Sequence, residues 1–324
     1  MTKTIAFILL RLVATLLAVT FLTFLMVSLL PGDPVDTILG TGPRTEEQVA
    51  SIREDLRLDD PFIVRYVSWL GDAVTGDLGQ SYITDQPVSE TISQRVPVTA
   101  QLAFMAIFIA VVVAIPLGVL GAYKQGRWQD TTTSTFALVA LSIPNFIVGI
   151  FLIYYFAVKW NPGRSVSFLP EFEASNWNRL SDGVWANLET SILPALALAL
   201  GSMAVFSRLI RSDMIGTLRE DFIMSARAKG LSDRYVLFRH ALRPSSLSLM
   251  TIVGIAFGAL LGGTVVIEQL FAIPGLGGSL INAINGRDII LIQGITVFIA
   301  VMYVIINTVV DLLYAVLDPR IRRS

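Results

Sequence analysis

Long apolar stretches alternate with shorter polar ones along this chain. Six windows are long and apolar enough to cross a bilayer, because a hydrocarbon core of about 30 Å needs roughly 20 helical residues. They are residues 9–30, 99–122, 135–158, 191–210, 247–269 and 289–315. The pattern predicts an all-α membrane protein with six transmembrane helices.

The first window resembles a signal peptide, because Lys3 and Arg11 come before an apolar run. The run continues into Pro31-Gly-Asp-Pro34 without a small-residue cleavage site. We therefore interpret residues 1–30 as an uncleaved N-terminal anchor helix.

Two polar segments are too long to be plain connections. In residues 31–98, Thr45-Glu-Glu-Gln48 reads as a capping box and Asp60-Pro61 as the start of a second helix. This segment is either a platform for an external partner or a lid on the protein's own helices, and the residues leave both options open. The sequence of the other segment, 159–190, does not indicate a role. The remaining chain, 99–324, is the predicted core with five transmembrane helices.

The orientation follows from the distribution of Lys and Arg. If the N-terminus lies inside and the spans alternate, most of the 24 basic residues fall on the inner side. The inner set is Lys3, Arg11, Lys124, Arg127, Arg208, Arg211, Arg219, Arg227, Lys229, Arg234, Arg239, Arg243, Arg320, Arg322 and Arg323. Both termini and the loop 208–246 are then predicted to be cytoplasmic, and 31–98 and 159–190 extracytoplasmic.

The composition excludes several classes of protein. The chain is 54% hydrophobic and only 15% charged, which is typical of membrane proteins rather than soluble domains. It has no cysteine, one histidine and no phosphate-binding P-loop motif, so no metal site, cofactor or ATP-hydrolysing site is expected. A net charge of −1 gives no indication of nucleic-acid binding.

Ionisable residues are nearly absent from the predicted helix cores. Arg11, Arg208, Glu268 and Asp311 lie near helix ends, where we interpret them as interfacial anchors. An ion-driven carrier normally needs such groups near mid-membrane. Energy for transport is therefore expected to come from another protein.

Prolines and glycines indicate kinked, closely packed helices. Gly254, Gly258 and Gly262 recur every four residues, which permits close approach of another helix within one subunit or at a subunit interface. The prolines predicted to bend their spans are Pro116, Pro144 and Pro194.

The loop 208–246 is the most informative segment. Residues 219–230 are predicted to form a helix with acidic residues at its start, basic residues at its end, and Gly230 as its left-handed terminator. Residues 233–243 are predicted to form a second short helix that returns to the membrane at Pro244. His240 is interpreted as a packing residue rather than a catalyst.

The loop resembles the cytoplasmic loop of bacterial ABC importer permeases. More narrowly, the chain resembles the dipeptide/oligopeptide/nickel permease family, and within that family the first of the two permease subunits. The resemblance covers nearly the whole chain and rests on many matches in one order. They are Leu30-Pro-Gly-Asp-Pro34, Leu58-Asp-Asp-Pro61, Arg65-Tyr66, Trp69-Leu70, Gly76-Asp-Leu-Gly79, Ser81-Tyr82, Ala226-Arg-Ala-Lys-Gly230-Leu, Arg239-His-Ala-Leu242, Glu268, Phe271-Ala-Ile-Pro-Gly-Leu-Gly277, Arg287-Asp288, Gln293-Gly294, Asp311-Leu-Leu-Tyr314 and Leu317-Asp-Pro-Arg320.

The resemblance implies a type I importer permease fold in the bacterial plasma membrane. It also implies three kinds of partner: a second permease, two cytoplasmic ATP-binding subunits and an extracytoplasmic solute-binding protein. The loop helix would be the coupling helix that seats in an ATP-binding subunit. The residues assigned to it are Asp221, Phe222, Ser225, Ala226, Arg227, Ala228, Lys229 and Gly230.

Two positions depart from the family pattern. The family's Glu-Ala-Ala is replaced by Met224-Ser225-Ala226, and its closing Leu-Pro becomes Leu242-Arg243 before Pro244. The implied function is half of the path of an ATP-driven peptide importer. The alternatives are the same importer type for nickel, glutathione or another small solute, a self-sufficient secondary transporter or channel, and a membrane scaffold.

Overall fold

The computed structural model describes residues 2–29, 35, 39, 45–55, 57–160, 172 and 177–317. Five of the described helices are long and apolar enough to cross a membrane, and a sixth span results if one sharply bent helix pair counts as one. The all-α fold with six predicted spans is therefore confirmed. Among the residues outside the described part are 30–34, 161–171, 173–176 and 318–324.

Thirteen α-helices occur in the described part of the chain. In chain order they are α1 Thr2–Ser28, α2 Glu46–Asp55, α3 Phe62–Val74, α4 Val88–Tyr123, α5 Trp128–Ser142, α6 Asn145–Leu152, α7 Val184–Thr217, α8 Asp221–Ala228, α9 Asp233–Tyr235, α10 Leu242–Gly263, α11 Val265–Leu270, α12 Leu276–Gly286 and α13 Ile289–Leu317. Two π-helical stretches, Ile153–Lys159 and Val236–Ala241, continue α6 and α9.

The three prolines act differently. The helix breaks at Ile143–Pro144, where α5 and the helix from Asn145 to Lys159 meet at 96°. Pro144 lies outside both helices with ψ 140°, a conformation that ends one helix and starts the next. Pro116 and Pro194 lie inside α4 and α7, which continue through them.

The chain forms two compact units. The first comprises Met1–Val98 and Pro274–Thr308, and the second comprises Thr99–Ile273 and Val309–Ser324. The sequence division had placed 274–308 with the core, whereas in the structure this segment packs with the N-terminal third of the chain.

In the first unit, α3 packs on α1 through aromatic rings. The Tyr66 ring lies edge-on to Phe21 and Phe24, with centroid distances of 5.2 and 5.7 Å, and its hydroxyl lies 3.0 Å from Thr20 Oγ1. Tyr66 is buried between the two helices. The capping box predicted for α2 is confirmed, because Thr45 and Gln48 exchange side-chain-to-backbone hydrogen bonds of 3.2 and 3.3 Å.

The core of this unit lies where α4 and α13 begin. Apolar side chains from α1, α4, α12 and α13 pack there, namely Val27, Val88, Ile92, Leu276, Ala283, Leu291, Ile292 and Ile295. The loop between α3 and α4 is fixed beside them, because buried Ser81 donates to buried Asp288 and Val88 N–H donates to Gly79 O at 3.0 Å.

In the second unit, α7 is the central helix and packs against α5, α6 and α10. Small residues set its closest approaches. A Cβ at Gly118 of α4 would lie 2.6 Å from Ile210 Cγ2. A Cβ at Gly254 would lie 2.1 Å from Val310 Cγ2, so α13 crosses α10 at the first glycine of the predicted stripe. Gly258 is buried and Gly262 is exposed.

Glu268 departs from the prediction. It is fully buried, and its Oε1 accepts hydrogen bonds from Thr99 and Thr264, each at 2.8 Å. The interpretation of Glu268 as an interfacial anchor is therefore wrong. Its position near a helix end suggested exposure, but Glu268 lies on the buried side of α11, where hydroxyl donors satisfy the carboxylate. Arg11 and Arg208 are exposed, and the Asp311 side chain lies outside the described part.

Candidate functional site: the loop helix and its connections

The predicted loop helix exists as α8, from Asp221 to Ala228. Its end is a Schellman motif: Gly230 N–H donates to Arg227 O at 2.9 Å and Leu231 N–H to Ala226 O at 3.4 Å. Gly230 has φ +78°, which costs glycine no strain. Local sequence therefore fixes where this helix stops.

One side of α8 is buried and the other is exposed. Ile223 and Ala226 are buried, and their spacing of three residues places them on the same helix face. At 100° per residue, the opposite face carries Met224, Ser225 and Ala228, all exposed. Two of these three side chains are small, so a partner surface could approach the helix closely there.

The remaining residues assigned to the coupling helix also lie on the exposed side or at the ends. Phe222 is 47% exposed although it is a large apolar residue. The other exposed members are Asp221, Arg227, Lys229 and Gly230. Ala226 alone in the assigned set faces the protein, so its contacts are internal.

The predicted second short helix, 233–243, is wrong. The helix begins at Asp233 and runs through α9 and the π-helical stretch into α10 without interruption, so Pro244 lies within a helix. Proline is tolerated in the first turn of α10, and the π-helical hydrogen bonding before it absorbs the irregularity. The buried side of α8 packs against this π-helical stretch, where Val236, Leu237 and Ala241 are also buried.

Hydrogen bonds connect this region to the ends of three long helices. Tyr123, the last residue of α4, donates to Asp233 Oδ2 at 2.8 Å. Arg227 Nε lies 3.9 Å from Asp233 Oδ1. The Thr217 and Ser245 hydroxyls, at the end of α7 and the start of α10, are 3.0 Å apart. Because these contacts join the α8 region to α4, α7 and α10, a displacement of α8 would shift the ends of those helices.

An ion pair with a buried carboxylate lies in the same unit. Arg211 of α7 forms a bidentate pair with Asp130 of α5, with Nε–Oδ1 2.5 Å and Nη2–Oδ2 2.8 Å. Gly126 N–H also donates to Asp130 Oδ2 at 2.9 Å. Gly121 leaves space for Arg211, because a Cβ there would lie 3.2 Å from Arg211 Cδ. Sequence reasoning counted Arg211 only as a basic residue of the loop and did not find its partner.

A second feature of this unit is an open cavity of about 370 Å³ at the break between α5 and α6. It is lined mostly by apolar residues of α5, α7 and α10, with Asn145 and Ser202 as polar groups. In a membrane, broken backbone is tolerated where it is covered by protein or lines a water-filled space. Asn145 lies at the break itself and lines this cavity.

The helices of this region therefore combine an exposed small-residue face, internal connections to several spans and a cavity at a broken helix. No group of three or more His, Asp or Glu side chains that could hold a metal ion occurs in the described part of the chain.

Comparisons with known proteins agree over nearly the full length. Residues 114–323 match the family model described as the binding-protein-dependent transport system inner membrane component. Residues 1–103 match the model for the N-terminal part of such membrane components.

Curated relatives align end to end with this chain. A putative peptide transport system permease protein of Brucella abortus (strain 2308) is 40% identical, with 96% of each chain covered. A dipeptide transport system permease protein of Alkalihalophilus pseudofirmus is 35% identical and a glutathione transport system permease protein of Shigella flexneri serotype 5b is 36% identical, each with 97% of both chains covered.

Among solved structures, the MetNI methionine ABC transporter in an inward-facing conformation is similar, with a TM-score of 0.55. It is 16% identical and the match covers 70% of this chain and 96% of that chain. At this identity the likeness concerns the fold.

Proposed function

This chain belongs to the family of binding-protein-dependent transport system inner membrane components, and on that premise we propose that it forms half of the path of an ATP-driven peptide importer. It is a multi-pass protein of the inner membrane. The peptide solute is supported by the relatives of this chain, which include peptide, dipeptide and glutathione permeases. Glutathione is itself a small peptide, so one solute class unites them.

The proposed energy source is a separate protein. The chain carries no P-loop motif, and we propose that two cytoplasmic ATP-binding subunits hydrolyse ATP while this subunit does not. A second, related permease would complete the path, and an extracytoplasmic binding protein would deliver the solute. In this arrangement loop 208–246 faces the cytoplasm and segments 31–98 and 159–190 face outward.

The observation that carries the proposal is the two-sided character of α8. Its inner face, Ile223 and Ala226, is held by the subunit, whereas Ser225 and Ala228 present small side chains outward. We propose that the outer face seats in a groove of one ATP-binding subunit. Motion of that subunit would then reach α4, α7 and α10 through the hydrogen bonds at Asp233 and Ser245.

The solute path is proposed to include the cavity at the α5–α6 break. Its lining is apolar and uncharged, which suits peptides of differing side chains, and Asn145 and Ser202 can exchange hydrogen bonds with peptide groups. Liposomes that contain this chain alone separate the importer from a secondary transporter. The importer predicts no gradient-driven flux of peptide, whereas a secondary transporter predicts such flux without ATP.

The test is a size change on the outer face of α8. Ala228→Trp should abolish co-purification of the ATP-binding subunits and ATP-driven dipeptide uptake, because the groove cannot close on an indole. Ala228→Ser keeps the size and is the matched control. Both variants should elute from size exclusion as wild type does, since Ala228 is exposed. Wild-type complex recovery and uptake by Ala228→Trp would overturn the proposal.

A further inference from the structure

A second cavity, of about 230 Å³, lies within the first unit. Its walls come from the turn before α3, from α3 itself, from the loop before α4, and from the residues that connect α12 to α13. Neither the coupling helix nor the cavity at the α5–α6 break involves these residues. Its lining is unlike that of the other cavity, because it contains several charged side chains of both signs together with aromatic rings.

Three arginines line this cavity, and none of them forms an ion pair among the described residues. Arg57 donates to the neutral hydroxyl of Ser68. Arg65 lies over the Phe24 ring, with Cζ 6.0 Å from the centroid, which holds the guanidinium in place without neutralising it. Arg287 ends α12 in the left-handed conformation, with φ +57°.

Three aspartates also line the cavity, and two of them are held by hydrogen-bond donors of the chain itself. Asp288 is buried and accepts from Ser81 and, at 3.1 Å, from Leu291 N–H. Asp77 accepts the Gly79 N–H at 2.9 Å. Asp72 is the acid whose carboxylate has no such partner in the described part of the chain. The cavity therefore offers three guanidinium groups without an ion-pair partner, and one carboxylate without a hydrogen-bond partner, among the described residues.

The walls of the cavity are preorganised. The Ser81–Asp288 bond ties the loop before α4 to the start of α13, and a Cβ at Gly79 would lie 2.9 Å from Ile290 Cγ2. Trp69 and Phe24 supply apolar ring surface between the charged groups. Fixed walls lower the entropy lost on binding, so even a small ligand can be held in one orientation.

We infer that this cavity binds the two charged ends of a short peptide. Arginine pairs with carboxylates through two parallel hydrogen bonds, so Arg65 and Arg287 are assigned to the terminal carboxylate. Asp72 is assigned to the terminal ammonium, and Trp69 and Phe24 to an apolar side chain. The inference rests on the proposed function, and it adds an entry site on the side predicted to be extracytoplasmic.

The experiment measures binding of alanyl-phenylalanine to the full chain in lipid nanodiscs by saturation-transfer NMR. Arg65→Gln and Arg287→Gln should each raise Kd about tenfold, the cost of one charge-assisted hydrogen-bonded contact. Arg53→Gln is the matched control: Arg53 belongs to the same unit, pairs with Asp59 at 3.1 Å outside the cavity, and should leave Kd unchanged.

Modified ligands locate each end of the peptide. On the wild-type protein, the peptide with a C-terminal amide should bind about tenfold more weakly than the free acid. On Arg287→Gln, the amide and the free acid should bind equally, because the partner of the carboxylate is gone. The N-acetyl peptide should likewise bind about tenfold more weakly than the free peptide to the wild type, and equally to Asp72→Asn. Equal Kd values for wild type and both arginine variants would overturn the inference. A second result would also overturn it: the amide binds as tightly as the free acid, and glycerol 3-phosphate displaces the peptide. The site would then select a phosphate rather than a peptide carboxylate.

Uptake by the whole importer separates this inference from the proposed function. Absence of ATP-driven dipeptide uptake by the wild-type complex would contradict the proposed function. Wild-type uptake with an unchanged KM in the Arg65→Gln, Arg287→Gln double variant would overturn the entry site alone. A raised KM with unchanged kcat is the expected result, since the site acts before the solute moves.

Discussion

The loop around α8 and the helical interior of the second unit both carry charge, but they place it differently. In the loop, Arg227 and Asp233 are about half exposed, with side-chain exposures of 45% and 55%, and stand 3.9 Å apart. In the interior, Asp130 and Arg211 are 9% and 30% exposed and form two short hydrogen bonds. Exposed charge is available to a partner, whereas buried charge must be satisfied within the chain. Substitutions in the two regions should therefore fail in different assays.

The largest effect is expected at the buried pair. Asp130→Ala leaves Arg211 without its carboxylate, and because Arg211 is partly exposed we expect a loss of about 2–4 kcal/mol of stability. Thermal unfolding of the purified protein in detergent measures this. Removing both charges with Asp130→Asn and Arg211→Gln should recover part of the loss, because no lone charge remains. A single variant as stable as wild type would show that the pair does not hold α5 to α7.

Glu268 should give the next largest effect. Glu268→Ala removes the acceptor of two threonine hydroxyls and leaves a gap, at an expected cost of about 1–3 kcal/mol. Glu268→Gln keeps an oxygen that can accept both hydrogen bonds, so it should cost less. Thermal unfolding of the two variants side by side measures the difference. Equal destabilisation would mean that the negative charge, rather than the hydrogen bonding, matters at this position.

Alanine substitutions at two glycines of α10 should change the stability of the protein in different directions. At Gly254 a new Cβ would lie 2.1 Å from Val310, so Gly254→Ala should destabilise the protein by about 1–2 kcal/mol through overpacking. Gly263→Ala is the control, because nothing lies within 4 Å of its Cβ position, and it should be neutral or slightly stabilising. Val310→Ala should relieve the Gly254→Ala variant. Absence of relief would place the clash elsewhere.

The smallest effect on stability is expected at the exposed pair. Arg227→Ala should change the free energy of unfolding by less than about 1 kcal/mol, because solvent screens the charges. The same variant is proposed to weaken association with the ATP-binding subunit, which co-purification measures. A loss of stability as large as that of Asp130→Ala would remove the distinction between the two regions.

Local sequence signals were sufficient for some of the structure. The capping box at Thr45, the helix terminator at Gly230 and the break at Pro144 depend on residues within one or two turns of each other. The lengths of the spans could also be predicted from consecutive residues, because the thickness of the bilayer sets them. The end of the loop's second helix was predicted wrongly, because π-helical turns have no simple sequence signature.

The candidate site could be predicted only in part for a related reason. The sequence located the loop and its helix, but which face is exposed depends on the packing of α8 against the π-helical stretch Val236–Ala241. The ion pair could not be found, since Asp130 and Arg211 are 81 residues apart. The cavity with Arg65, Asp72 and Arg287 combines two segments separated by about two hundred residues of chain.

By itself, the sequence determined that this protein crosses the membrane several times, because apolar length and charge asymmetry are properties of consecutive residues. It also determined the family and the position of the loop helix. The tertiary structure decided which polar groups are buried and paired, which face of α8 is open, and which charged residues share a cavity. Those outcomes depend on contacts between distant segments, and burial rather than residue type decides whether a charge stabilises the fold or remains free for a partner.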